Sequence, residues 1–233
     1  MPLALLTGAS RGLGHELARA LVGRGWELVV DARDGTALAA AAADLGADAA
    51  VTAIAGDVAD PRHRAALVDA VTARGPLDLL VNNASTLGPT PLPPVAELDL
   101  AAFREVLEID AVAPLALVQA LLPSLRARRG TVLNLTSDAA VAAYPGWGAY
   151  ASAKAALERW TAVLAAEEPD LHVHAVDPGD LRTRMHQDAF PGEDISDRPE
   201  PATVVPGLLH LIERRPASGR HRVADLMVGR GTA

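Results

Sequence analysis

The sequence predicts an α/β fold, a doubly wound parallel sheet of about seven strands with helices on both faces. Three observations point to it. Short apolar runs alternate with helical stretches along the whole chain, as strands joined by crossover helices do. The first run ends in a glycine-rich turn, and the helix that follows repeats Leu13, Leu17 and Leu21 every four residues. The chain has 233 residues, half of them of hydrophobic types, which is enough to build a core without disulfides or a structural metal.

Taken in order, the apolar runs place strands at Ala4–Leu6, Leu28–Asp31, Ala50–Ala55, Leu79–Val81, Val132–Thr136, Val173–Val176 and, weakly, Val223–Met227. Helices are expected at the Ala-rich run Ala37–Ala43, where propensity is highest, and at Arg62–Arg74, Ala101–Arg128, Ala149–Glu167 and Ala202–Arg214. Pro114 falls inside the fourth helical stretch, where it removes a backbone donor and should bend the axis. Residues 182–201 have little periodicity and are expected to be a substrate loop, as long irregular segments in compact domains usually are. The whole of 1–233 reads as one domain.

Composition narrows the function. With 21 basic and 29 acidic side chains the net charge is −8, which opposes nucleic-acid phosphates and anionic lipid. No run approaches the roughly 18 apolar residues of a membrane span. Nucleic acid and membrane are therefore not expected partners. The chain has no cysteine, which excludes disulfides, thiolate metal sites and a Cys nucleophile, and with no basic leader at the N-terminus a cytoplasmic location is expected. His172 and His174 alternate on one strand face without a third ligand spaced near them, so no metal site is expected.

Three groups of residues carry chemistry. In Thr7-Gly8-Ala9-Ser10-Arg11-Gly12-Leu13-Gly14 the missing Cβ atoms let a diphosphate approach a helix N-terminus, although the spacing is G-x-x-x-G-x-G rather than G-x-G-x-x-G. Tyr150 and Lys154 stand one helical turn apart. An ammonium about 4 Å from a phenol contributes about 4 kcal/mol at an effective dielectric near 20, enough at the upper limit to bring the phenol toward neutrality as a general acid or base. Ser137 lies at the C-terminal end of a strand, the edge where open α/β sheets bind ligands, and its hydroxyl is placed to orient a carbonyl. Of the three Trp, two Tyr and two Phe, Tyr144, Trp147 and Tyr150 crowd together there. Tyr144 and Trp147 are expected as substrate-pocket walls, with Met185, His186 and Phe190 closing over them.

These elements, with Asp57-Val58, Asn82-Asn83-Ala84 and Pro178-Gly179 with Thr183, resemble the short-chain dehydrogenase/reductase family over about residues 1–230. The resemblance implies a Rossmann-like fold and an oxidoreductase moving hydride between a nicotinamide dinucleotide and a carbonyl or alcohol carbon. By it, Gly8, Gly12 and Gly14 cradle the diphosphate, with Ser10, Arg11 and Leu13 beside them. Asp57 meets the adenine amino group and Val58 packs near it. Asn82, Asn83 and Ala84 line the ribose side, Lys154 also holds ribose hydroxyls, and Leu181 and Thr183, after Pro178 and Gly179, meet the carboxamide. Ser137, Tyr150 and Lys154 are the implied catalytic set, with Asp110 as its fourth member at the proton-relay position.

NADP(H) is favoured over NAD(H), because Ala32 stands where the family's acidic ribose acceptor would be and Arg33 follows, with Arg11 in the turn. Asp31 is the competing signal: a slip of one residue would aim it at the ribose. Two positions depart from the family pattern. Asp110 replaces the Asn whose helix bend supports proton relay, and Ser85 replaces a Gly. Those departures are the sequence support for an alternative, a dinucleotide-binding regulatory or scaffold protein with little catalysis. A sugar-nucleotide epimerase or dehydratase is disfavoured by the short chain that follows Gly179. The resemblance also implies a small-molecule substrate and a homodimer or homotetramer associating through the fourth and fifth helices.

Overall fold

The structure is a computed structural model that describes residues 1–46 and 49–228. Ala47, Asp48 and residues 229–233, which the single-domain reading includes, lie outside the described residues. Seven strands form one parallel sheet: β1 (Leu3–Leu6), β2 (Glu27–Ala32), β3 (Val51–Ala55), β4 (Leu79–Asn82), β5 (Thr131–Leu135), β6 (His172–Asp177) and β7 (Gly219–Arg222). Their order is β3-β2-β1-β4-β5-β6-β7, so the order reverses between β1 and β4, and ligand crevices open at such switch points. β1, β4 and β5 are buried along their whole length, which is why they read as unbroken apolar runs.

The connecting helices are α1 (Gly12–Val22), α2 (Gly35–Asp44), α3 (Pro61–Thr72), α4 (Leu100–Leu107), α5 (Ala113–Arg128), α6 (Gly148–Glu167), α7 (Arg184–Ala189), α8 (Val205–Arg214) and α9 (Val223–Val228). One core lies under α1 and α8, with Leu13, Leu17, Leu21, Leu208 and Leu211 packed on Leu6, Leu28 and Val30. The other lies under α3, α5 and α6, with Leu67, Val71, Leu117 and Leu121 packed on Leu5, Val29 and Val132. Asp34, Asp60 and Asp99 cap α2, α3 and α4 through their side chains, each satisfying amides the first turn leaves free.

Three expectations need correction. The seventh strand is Gly219–Arg222, a charged segment on the sheet edge, and the apolar run Val223–Met227 is helical because Val223 and Leu226 pack into the α1/α8 core. The 182–201 segment is not wholly irregular, since it contains α7, and its far end is tied back by Arg182 N–H donating to the Pro199 carbonyl at 2.8 Å and by the Arg182–Glu200 ion pair. The stretch 101–128 is interrupted by a π-helical turn at Glu108–Val112 rather than simply bent at Pro114. Pro114 contributes all the same, since it has no N–H to close an α-helical bond to the Asp110 carbonyl. Among the described residues, Leu100–Arg128 is the helical stretch long and apolar enough to cross a membrane, and half of its apolar window is buried, as in a core helix.

β7 rests on β6 through two histidines. His174 is fully buried, and its Nδ1 lies 3.1 Å from His221 Nε2. Burial, then the charges of His221 and His172, lower the His174 pKa from 6.5 to about 4. Between those values the unfolded chain holds the extra proton, so stability rises with pH across this window and is lost as pH falls through it. Urea denaturation at pH 7 and pH 4.5 is expected to show a loss on the order of 2–3 kcal/mol from this residue, which His174→Leu should largely remove.

Candidate active site

The glycine-rich turn leaves the C-terminal end of β1 and enters α1. Gly8 and Gly12 sit at φ 71° and 57°, a left-handed conformation that costs other residues strain. Gly14 faces the turn's own backbone, where a Cβ would lie 2.3 Å from the Gly8 carbonyl oxygen. Asn83 frames the turn by donating Nδ2–H to the carbonyls of Thr7 at 2.9 Å and Gly8 at 3.0 Å, and Thr7 Oγ1 accepts from the amides of Asn83 and Ala84. Gly8 N–H donates to Asp31 Oδ1 at 2.8 Å.

The turn is one end of a cleft of about 750 Å³. Its lining includes Ser10, Arg11, Gly12, Leu13, Asp31, Arg33, Asp57, Val58, Asn83 and Ala84 together with Ser137, Tyr150, Lys154, Pro178, Gly179, Leu181 and Thr183. Arg11 and Arg33 are exposed and, among the described residues, their side chains form no hydrogen bond or ion pair. Asp57 Oδ1 accepts from Ala59 N–H, and Val58 packs against Ile109 and Ala113.

Asn82 departs from the expected set. Its side chain is buried in the sheet and donates to Asn134 Oδ1 at 2.7 Å, because the last residue of β4 points toward its β5 neighbour rather than the cleft. Nor is Asp31 slipped toward a ribose position. Leu28, Val30 and Ala32 pack in the α1/α8 core while Val29 faces α3, and strand alternation puts Asp31 on the Val29 side. There it is 1% exposed with Oδ2 2.9 Å from His63 Nε2. Burial pushes its carboxyl above the ordinary range, against the pull of the His63 and Gly8 hydrogen bonds.

Tyr150 lies in the first turn of α6 and Lys154 in the next. Both are buried, and the lysine Nζ lies 5.4 Å from the phenol ring centre. Lys154 Nζ donates to the Leu135 carbonyl at 3.0 Å and lies 3.5 Å from Asp110 Oδ2. The expected lowering of the phenol pKa is therefore absent from this arrangement. Burial and then the Asp110 charge raise it, outweighing the hydrogen bond with Ser137.

The two departures from the family pattern meet here. Asp110, inside the π-helical turn and fully buried, accepts from Ser85 Oγ–H at 2.7 Å and Thr86 N–H at 2.9 Å. Burial raises its carboxyl pKa despite the opposing Lys154 charge. Ser85 thus occupies its position as the hydrogen-bond partner of Asp110.

Ser137 is an extended residue two positions past the end of β5. Its hydroxyl donates to Asp138 Oδ1 at 2.9 Å, and Tyr144 Oη–H donates to Asp138 Oδ2 at 2.8 Å. Against the cost of partial burial, these bonds hold the Asp138 carboxyl below its ordinary value. The residues expected as pocket walls divide. Met185 and His186 line the cleft, whereas Tyr144, Trp147 and Phe190 are not in its wall. Trp147 packs edge-on to Tyr150 at 5.6 Å and lies 6.0 Å from Phe190, so these rings pack against the phenol. Sequence reasoning missed Thr7, His63, Ser85 as a partner of Asp110, and the cleft residues Thr86, Leu87 and Ile109. Only Thr7 carried a readable signal, its place at the end of β1.

A family model described as short chain dehydrogenase matches residues 2–194. Among curated proteins, the short chain dehydrogenase asqE of Emericella nidulans is 36% identical over 175 residues, 70% of this chain and 64% of that protein. Benzil reductase ((S)-benzoin forming) IRC24 of Saccharomyces cerevisiae is 33% identical over 193 residues, 79% of this chain and 73% of that protein. Among solved structures, an alcohol dehydrogenase from the archaeon Thermococcus sibiricus complexed with 5-hydroxy-NADP superposes with a TM-score of 0.86 at 26% identity, covering 95% of each chain.

Proposed function

The chain belongs to the short-chain dehydrogenase/reductase family, and from that premise we propose that it interconverts a small carbonyl compound and its alcohol using NADP(H). The observation that carries this reading is one cleft lined by a glycine-rich turn, by two guanidinium groups without a partner among the described residues, and by Ser137, Tyr150 and Lys154. The residues present fit a dinucleotide: at Gly12 a Cβ would meet only Thr183 Cγ2, at 3.6 Å, so the turn is open toward the cleft. Arg11 and Arg33 suit a 2′-phosphate, since guanidinium groups pair with phosphate bidentately. When bound, the cofactor supplies or accepts the hydride.

The chain's own groups do the rest. Ser137 holds the substrate oxygen. Tyr150, kept protonated by burial and by Asp110, donates its phenolic proton to that oxygen as negative charge develops. Lys154, fixed by the Leu135 carbonyl and Asp110, grips the ribose hydroxyls beside the phenol. A homo-oligomer associating around α5 and α6 belongs to the same reading.

A panel of ketones, aldehydes and diketones offered with NADPH and with NADH, followed at the nicotinamide absorbance, tests the reading. Turnover preferring NADPH is expected, and Arg33→Ala should raise KM for NADPH about tenfold or more with little change for NADH. No turnover with any substrate and no dinucleotide binding would defeat it.

A further inference from the structure

Beneath the glycine turn lies a buried ionisable pair that the mechanism above does not use. His63, in the first turn of α3, is 8% exposed, and Asp31, at the end of β2, is 1% exposed. Asp31 holds two consecutive amides of the turn: its Oδ1 accepts from Gly8 at 2.8 Å and its main-chain carbonyl accepts from Ala9 at 2.9 Å. Its second carboxylate oxygen is held by His63 Nε2 at 2.9 Å. The ring has a built space, because Gly56, which follows β3, has no side chain where a Cβ would lie 2.2 Å from His63 Nδ1. With Gly8 and Ala9 held inward, the amides of Ser10 and Arg11 have no acceptor among the described residues and front the cleft.

Resting on the dinucleotide reading, we propose that His63 and Asp31 are positioning residues for cofactor binding, acting through a buried His63–Asp31–Gly8 chain that holds the turn in its anion-accepting conformation. The carboxylate holds Gly8 from below, as Asn83 does from the side, while the Asp31 main-chain carbonyl holds Ala9, and the next amides are left to the diphosphate. His63 supplies the donor without which a buried acidic group would lie unpaired beneath an anionic ligand. Because the pair acts through the turn that receives the diphosphate common to both dinucleotides, it affects NADP and NAD alike, whereas Arg33 distinguishes them.

The test compares His63→Phe, which fills the ring's space but removes its donor, with His63→Gln, which restores an N–H. Dissociation constants for NADPH and NADH are measured by calorimetry, and kcat at saturating cofactor. The expected result for His63→Phe is an affinity loss of about tenfold for both dinucleotides, a smaller change in kcat, and recovery of most of the affinity in His63→Gln. A folded His63→Phe protein with unchanged affinity, or a change confined to one dinucleotide, overturns the proposal. Amide exchange on the unmodified, cofactor-free protein decides independently of any variant's folding. Gly8 and Ala9 should exchange much more slowly than Ser10 and Arg11, and equal rates would overturn the proposal. If the unmodified protein binds no dinucleotide while that protection is present, it is the functional reading that falls.

Discussion

Replacing Tyr150 by Phe is expected to reduce kcat for carbonyl reduction by about 10²- to 10⁴-fold, the range that a positioned general acid contributes. The substitution removes one oxygen and leaves a ring of the same shape against Trp147, so thermal stability should change little. Affinity for NADPH should be nearly unchanged, since Lys154 keeps its bonds to the Leu135 carbonyl and Asp110. Steady-state kinetics with titration of NADPH into the variant check this, and near-normal kcat would exclude the phenol as the proton donor. The native phenol, held protonated by burial and by Asp110, should also make reduction insensitive to pH around neutrality, while oxidation, which needs the phenolate, climbs with pH.

The second large effect belongs to Asp110. Asp110→Ala leaves the Lys154 ammonium buried with one carbonyl acceptor and strands Ser85 Oγ and Thr86 N–H. Removing one member of a buried ion pair costs about 3–5 kcal/mol, which urea denaturation should register. Asp110→Asn keeps an acceptor and much of the fold, and its main effect should be electrostatic. Without the negative charge beside Tyr150, phenolate is less disfavoured, so the phenol pKa falls and the high-pH decline of reduction begins at lower pH. A pH–rate profile superimposable on that of the unmodified enzyme would show that Asp110 carries no charge at the phenol.

Much of this architecture was legible in the chain. The first six strands show as short apolar runs, unbroken where burial is complete as in β1, β4 and β5, and the turn, Ser137 and Tyr150–Lys154 all fall at strand ends or on one helix face, where local spacing decides position. β7 was not legible: Gly-Arg-His-Arg carries no apolar period, and it is a strand because β6 offers it an edge. The inward aim of Asp31 depends on which face of β2 α3 covers, and its partner is 32 residues away. Ser85 and Asp110 each looked like an isolated departure from the pattern. Their hydrogen bond spans 25 residues and joins two elements that nothing in the local sequence links. The raised phenol pKa comes from burial first and the Asp110 charge second, neither of which the local spacing of Tyr150 and Lys154 reveals.

The wide turn at Glu108–Val112 has one more consequence. A regular α-helix advances about 100° per residue, so one added residue in a turn rotates everything downstream by about that angle relative to what precedes it. Val106 before the turn faces Ala149 and Ala153 of α6, whereas Leu117, Leu121 and Leu125 after it face the sheet and α3. One near-continuous rod therefore serves two differently directed neighbours, and the phase change between its halves falls at the carboxylate that meets the lysine.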